Sequence, residues 1–190
     1  MTDTRAAIAE HLELAARVES LVPALDALAA ALIGVYERGG CVYTFGNGGS
    51  AADAQHFAEE LVGRFRRERR PLPAQSLAAD GALLTCIGND YSFDEVFERQ
   101  VQAFVRAGDA VVAFSTSGRS ANVVRGLAAA RTAGAATALF GGGDGGPAAE
   151  HADHALVVPS ASTARVQEMH SLFLHLVLDQ VDAWAAERRA

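Results

Sequence analysis

Apolar residues recur at helical spacing from Asp3 to about Tyr36: Ile8, Leu12, Leu14, Val18 and Leu21, then Leu25, Leu28, Leu32 and Val35. Steps of three and four place side chains on one helix face, and Pro23 suits a helical first turn. The pattern predicts two helices meeting near residues 20–23. Gly39-Gly40 stops them. Short apolar runs then alternate with helical stretches. The runs at 41–45, 74–78, 110–114, 136–140 and 155–158 predict strands; 50–63, 80–88, 93–106, 120–133 and 163–187 predict helices. Such alternation predicts a parallel sheet covered on both faces, an α/β fold built as a three-layer α/β/α sandwich on five strands. A mobile glycine-rich loop is expected at 141–146.

Two predicted strand-to-helix corners carry polar chemistry. The first reads Gly46-Asn47-Gly48-Gly49-Ser50 and opens a helix bearing His56 and Glu60. Glycines let the backbone approach a ligand, and free N–H groups at a helix start favour an oxyanion. His56 and Glu60 are four apart and share one helix face, which suits either acid-base chemistry or a solvated pair. The second corner reads Ser115-Thr116-Ser117-Gly118-Arg119-Ser120. It is either a capped polar turn or a phosphate cradle. Two such turns in one sheet favour the cradle, because open parallel sheets gather ligands beyond the carboxyl ends of their strands.

Near the C-terminus His175 has apolar neighbours on all sides, Leu172 to Leu178, which predicts burial in the core or at a subunit interface. A structural histidine bonded to a carbonyl is one reading, a functional imidazole the other. Gln167 lies about 12 Å from it along a continuous helix, so joint action needs an irregular helix or two subunits. His151 and His154 read as surface histidines. His11 and His170 carry no evident constellation. Arg64, Arg66, Arg67, Arg69 and Arg70 form a basic cluster expected to be a solvated loop, with Arg64 nearest the candidate site.

Composition narrows the chemistry. The chain has 190 residues, half of them apolar, enough for one domain with a full core. Its formal charge is -7, from 16 basic and 23 acidic residues, which disfavours nucleic acid and anionic membranes as partners. Every one of those basic residues is arginine, so Schiff-base chemistry and a Walker-type phosphate loop are excluded. Cys41 and Cys86 lack metal-ligand spacing and are expected to be reduced core thiols. With no signal-like opening, the cytoplasm is the expected compartment.

With these residues laid out, the chain resembles the sugar isomerase (SIS) fold family and, within it, the sedoheptulose-7-phosphate (phosphoheptose) isomerases. The specific pieces are Gly46-Asn47-Gly48-Gly49-Ser50, His56-Phe57-Ala58-Glu59-Glu60, Gly88-Asn89-Asp90, Ser115-Thr116-Ser117-Gly118 with Ser120, and Arg165-Val166-Gln167-Glu168 followed by His175. The resemblance implies a flavodoxin-like sheet over residues 39–190, with helices at 1–38 packing on it and on neighbouring subunits as one structural unit. It implies an aldose-ketose isomerase giving a D-glycero-D-manno-heptose 7-phosphate through an enediol. His56, Glu60, Gln167 and His175 would ligate zinc, with Glu60 and His175 also the acid-base pair. Gly48, Gly49, Ser50, Ser115, Thr116, Ser117 and Ser120 would hold phosphate, and Asn47, Arg64, Asn89, Asp90 and Gln167 would line the sugar site. It further implies a homotetramer with sites between subunits. Ala164 departs from a family aspartate, and the arginine loop is one residue longer. A non-enzymatic adaptor resembling the DnaA initiator-associating protein, or a sugar-phosphate sensor, is the alternative. The adaptor branch lacks the glutamate and histidine matching Glu60 and His175.

Overall fold

The computed structural model describes residues 3–188. Two helices, α1 (Thr4–Arg17) and α2 (Val22–Glu37), are joined by a 3-10 turn at Val18–Leu21. Then follow β1 (Val42–Gly46), α3 (Gly49–Val62), β2 (Ala74–Ser76), α4 (Gly81–Asp90), α5 (Glu98–Phe104), β3 (Ala110–Ser115), α6 (Ala121–Thr132), β4 (Ala136–Gly142), β5 (His154–Val158) and α7 (Thr163–Glu187). All five strands are parallel, in the order β2-β1-β3-β4-β5. This is the flavodoxin-like order, whose topological switch lies between β1 and β3.

The sheet divides two cores. Along β3, Ala110, Val112 and Phe114 face α2, α3 and α7, whereas Val111 and Ala113 face α5 and α6. Side chains alternate across a strand, so a strand apolar at every position is buried on both faces. Thr44 ties the layers where it matters for the site: its hydroxyl donates to the Ala54 carbonyl at 2.6 Å and fixes α3 against β1. Among the described residues one helical stretch, Thr4–Glu37, has the length and mean hydropathy (1.8) of a membrane span. Its Leu25, Leu28, Leu32 and Val35 are spent in the first core.

Three expectations need correction. The helix expected at 93–106 is a 3-10 turn, Phe93–Glu95, followed by the short α5. Val96 and Phe97 both bury at the break, and Phe97 stacks on Phe45 with ring centroids 4.6 Å apart, which a continuous helix with one buried stripe does not provide. Gly141 and Gly142 are strand residues of β4, paired with Val157 and Val158. Finally, Cys86 is exposed and Cys41 half-buried, because α4 turns the adjacent Ile87 inward instead.

Candidate active site

Both glycine- and serine-bearing turns leave adjacent strands at the switch point. The helices they open, α3 and α6, have no side-chain cap, whereas Asp3 and Asp80 cap α1 and α4. Uncapped N–H groups at two neighbouring helix starts attract an anion by hydrogen bonding and by dipole. Ser120 stands at the cap position of α6 with its hydroxyl uncommitted to the helix. Ser50 is buried, and the Ser115 hydroxyl accepts the Gly118 N–H at 3.1 Å. Asn47 and Asn122 exchange side-chain amide bonds, both 2.9 Å, and lock one turn to the other. That pairing commits the Asn47 amide, expected to line the sugar, to holding the two turns together. In the sequence Asn122 is marked only as an asparagine in the first turn of the helix after the serine-rich corner; its burial and its bond to Asn47 are set by the fold.

From the first turn, α3 runs alongside α7, and three pairs mark the seam. The Gln167 amide lies where a Cβ on Gly49 would collide with it. One turn on, the Ser171 hydroxyl donates to Asp53 at 3.5 Å. One turn further, the rings of His56 and His175 meet edge to face, with centroids 5.2 Å apart. His56 Nε2 lies 3.4 Å from Glu60 Oε1, and Phe65 stacks on the far face of His175 at 5.5 Å. Burial and then the adjacent His56 hold the His175 imidazole below its ordinary range, Arg66 adding to this and Glu60 opposing it. Asp53, unremarked in the sequence, shares the stripe of His56 and Glu60. Burial pushes its carboxyl up, against the Ser171 bond and His56, and one of its oxygens is buried without a partner.

The seam narrows two readings to what one chain provides, leaving the subunit-interface alternative of each in place. His175 is half-buried, with Leu172 and Leu176 exposed beside it; the core histidine of α7 is His170. His56, Glu60 and His175 gather, but Gln167 sits two turns away beside Gly49, since α7 is regular from Thr163 onward. Among the described residues no three His, Cys, Asp or Glu side chains form a group that could hold a metal ion. One chain therefore does not assemble the four implied zinc ligands.

The arginine cluster is not uniformly solvated either. Arg69 is buried, pairs with Asp182 at 3.0 Å, and donates to the carbonyls of Glu60, Leu61 and Gly63 at the end of α3. It caps the helix that carries Glu60 and pins it to α7. Arg64 is exposed, and Asn89 and Asp90 lie exposed at the end of α4, where the Asn89 amide donates to Asp90 at 2.8 Å. Among the described residues no hydrogen bond or ion pair links Arg64, Asn89 or Asp90 to the seam. His11 has a partner after all: Glu168, at 2.7 Å, which also holds Arg165.

The SIS domain family matches residues 8–142. The chain is 48% identical to the phosphoheptose isomerase of Roseiflexus sp. (strain RS-1) over 87% of its own length and 84% of that protein. It is 51% identical to that of Aquifex aeolicus (strain VF5), over 79% and 78%. The structure of the phosphoheptose isomerase from Neisseria gonorrhoeae superposes with a TM-score of 0.89 at 41% identity, covering 94% of this chain and 96% of that one. The Francisella tularensis enzyme gives 0.91 at 33% identity over the same shares. With this sheet order, these two turns and the His56, Glu60 and His175 cluster in place, the chain is an isomerase that belongs to the SIS domain family and, within it, to the phosphoheptose isomerases.

Proposed function

We propose that the chain converts sedoheptulose 7-phosphate into D-glycero-D-manno-heptose 7-phosphate, with the phosphate held between the starts of α3 and α6 and the reacting carbons at His56, Glu60 and His175. The observation that carries this reading is the seam. Six residues of α3 separate Ser50 from His56 and ten separate it from Glu60, roughly 9 and 15 Å of rise, with helical side chains leaning back toward the N-terminus. An extended chain from C2 to a C7 phosphate spans about the shorter of these distances at ordinary bond lengths. A three-carbon sugar phosphate would fall short of one end.

In the reaction Glu60 removes a proton from C1 of the ketose while the C2 oxygen gains one, giving a cis-enediol. His175, kept neutral by its surroundings, moves protons between the two oxygens. Reprotonation at C2 and loss of the O1 proton leave the aldose. Imidazole and carboxylate donors suit zinc; His56, Glu60 and His175 do not form a ready-made metal group within one chain, and would have to draw together with Gln167 of a second copy to hold it, where a bound zinc would polarise the carbonyl. The exposed apolar side chains Ile8, Leu12, Leu172 and Leu176 on α1 and α7 are surfaces a homotetramer would cover. The acidic balance of the chain fits a small-molecule partner and disfavours nucleic acid and anionic membrane; work in the cytoplasm belongs to the same reading.

Incubation with sedoheptulose 7-phosphate, followed by NMR, should reveal a new aldose phosphate carrying solvent deuterium at C2. Glu60→Gln should lower turnover by about a thousandfold or more while phosphate still binds. Full activity in that variant would overturn the assignment.

A further inference from the structure

The phosphate-binding role of the two turns leaves one cation unexplained. A phosphate monoester carries close to two negative charges, yet neither turn has a lysine, and Arg119 is the only basic residue in either. Its backbone N–H is tied down by the Ser117 hydroxyl at 3.2 Å, one position from Ser120. Its guanidinium instead meets Asp144 at 2.6 Å. The other Asp144 oxygen accepts the Gly146 N–H at 3.0 Å, which fixes the carboxylate in the turn after β4.

The backbones beneath this pair cannot slide apart or together. Gly118 has a φ of +61°, and a Cβ there would collide with the Gly145 carbonyl; Gly118 in turn accepts the Ala148 N–H at 3.0 Å. A rigid floor with a long side chain above it leaves the guanidinium as the part able to change partners. Both members of the ion pair are more than half exposed, at 59% and 70%. Exposed pairs contribute little, about 0–1 kcal/mol, and a phosphate monoester offers the guanidinium more charge and more free acceptor oxygens than a carboxylate with one oxygen already bonded to Gly146.

We propose that Arg119 is a phosphate-binding residue and that Asp144 is its competing counter-ion: the guanidinium paired with Asp144 is drawn on by a phosphate held in the cradle, so that carboxylate and phosphate compete for it. Asp144 thereby sets the affinity for phosphorylated ligands, holding it below what the cradle alone would give. This rests on the reading of the two turns as the phosphate site.

The test is titration calorimetry with inorganic phosphate, alongside KM for sedoheptulose 7-phosphate, at low ionic strength. Asp144→Asn, which keeps an acceptor for Gly146, should tighten phosphate by about two- to fivefold, the worth of an exposed pair. Arg119→Gln should weaken it about tenfold or more. In the double variant the gain from Asp144→Asn should vanish. If the gain survives without Arg119, Asp144 acts only by repulsion and the exchange is overturned. If neither single variant alters phosphate affinity in an enzyme that still isomerises, the proposal fails while the functional reading stands. Wild-type protein that neither binds phosphate nor isomerises would sink both.

Discussion

His170 and His175 lie little more than one turn apart on α7, yet one points to the sheet and the other to α3. His170 is fully buried, donates from Nε2 to the Gly141 carbonyl at 3.1 Å, and packs edge-on against Phe114 and Phe140. Its remaining nitrogen has no partner, and burial lowers its pKa to about 4 despite the carbonyl. His175 keeps solvent on one side, His56 on another and Phe65 against its ring face. A proton on His170 would have nowhere to go, whereas a proton on His175 has Glu60 beside it. Burial with a single fixed acceptor makes an imidazole part of the scaffold; partial exposure beside a titratable partner makes it available for chemistry.

The contrast can be broken most directly at His175. His175→Asn should lower kcat by about 10²- to 10⁴-fold with the thermal midpoint almost unmoved. Parallel loss of activity and stability would mean that this imidazole is also scaffold.

Next in size is the anchor that keeps α3 in register with α7. Asp182→Ala leaves the Arg69 guanidinium, of which 1% of the side chain is exposed, in the interior with carbonyl partners but no counter-charge. Breaking a buried pair on one side costs about 3–5 kcal/mol, measurable by urea unfolding. A cost under about 1 kcal/mol would show that water reaches Arg69 and that the end of α3 is held some other way.

The smallest effect sharpens the other side. His170 has a folded pKa of about 4 against an ordinary 6.5, so between these values the unfolded chain binds more protons than the folded one. Its contribution is complete above about pH 6.5 and is lost as pH falls towards 4, by about 3 kcal/mol in all. His170→Gln keeps a donor for Gly141 and removes the titration, so stability against pH should flatten across that window while kcat stays as it was. An unchanged slope would assign the acid sensitivity to another group.

Part of this site was legible before any coordinates. The alternation of strands and helices, the two polar corners and the His56–Glu60 face all follow from spacing within a few residues, and apart from the break in the helix expected at 93–106 and the strand end at 141–142 each stands where it was expected. Asp53 is equally legible, since it falls on the same stripe of α3. The arginine run misled because five like residues in a loop look alike in sequence, and only the fold distinguishes Arg69, turned inward to Asp182, from Arg64, turned out.

What the chain determined by itself was local: which segments become strands or helices, where glycine permits a turn, and which side chains share a face one turn apart. The helical phase of α7 was not local information. From Leu172 to Leu178 nearly every residue is apolar, so the sequence cannot tell whether His170 or His175 faces the core until the sheet and α3 take up their positions. The same holds for Asn47 with Asn122 and for Arg69 with Asp182, partners far apart along the chain that leave no periodic trace in it. Tertiary packing decided these because burying apolar surface on two faces of one sheet leaves a single arrangement of α3 against α7, and the polar groups caught between them must bond to what they meet.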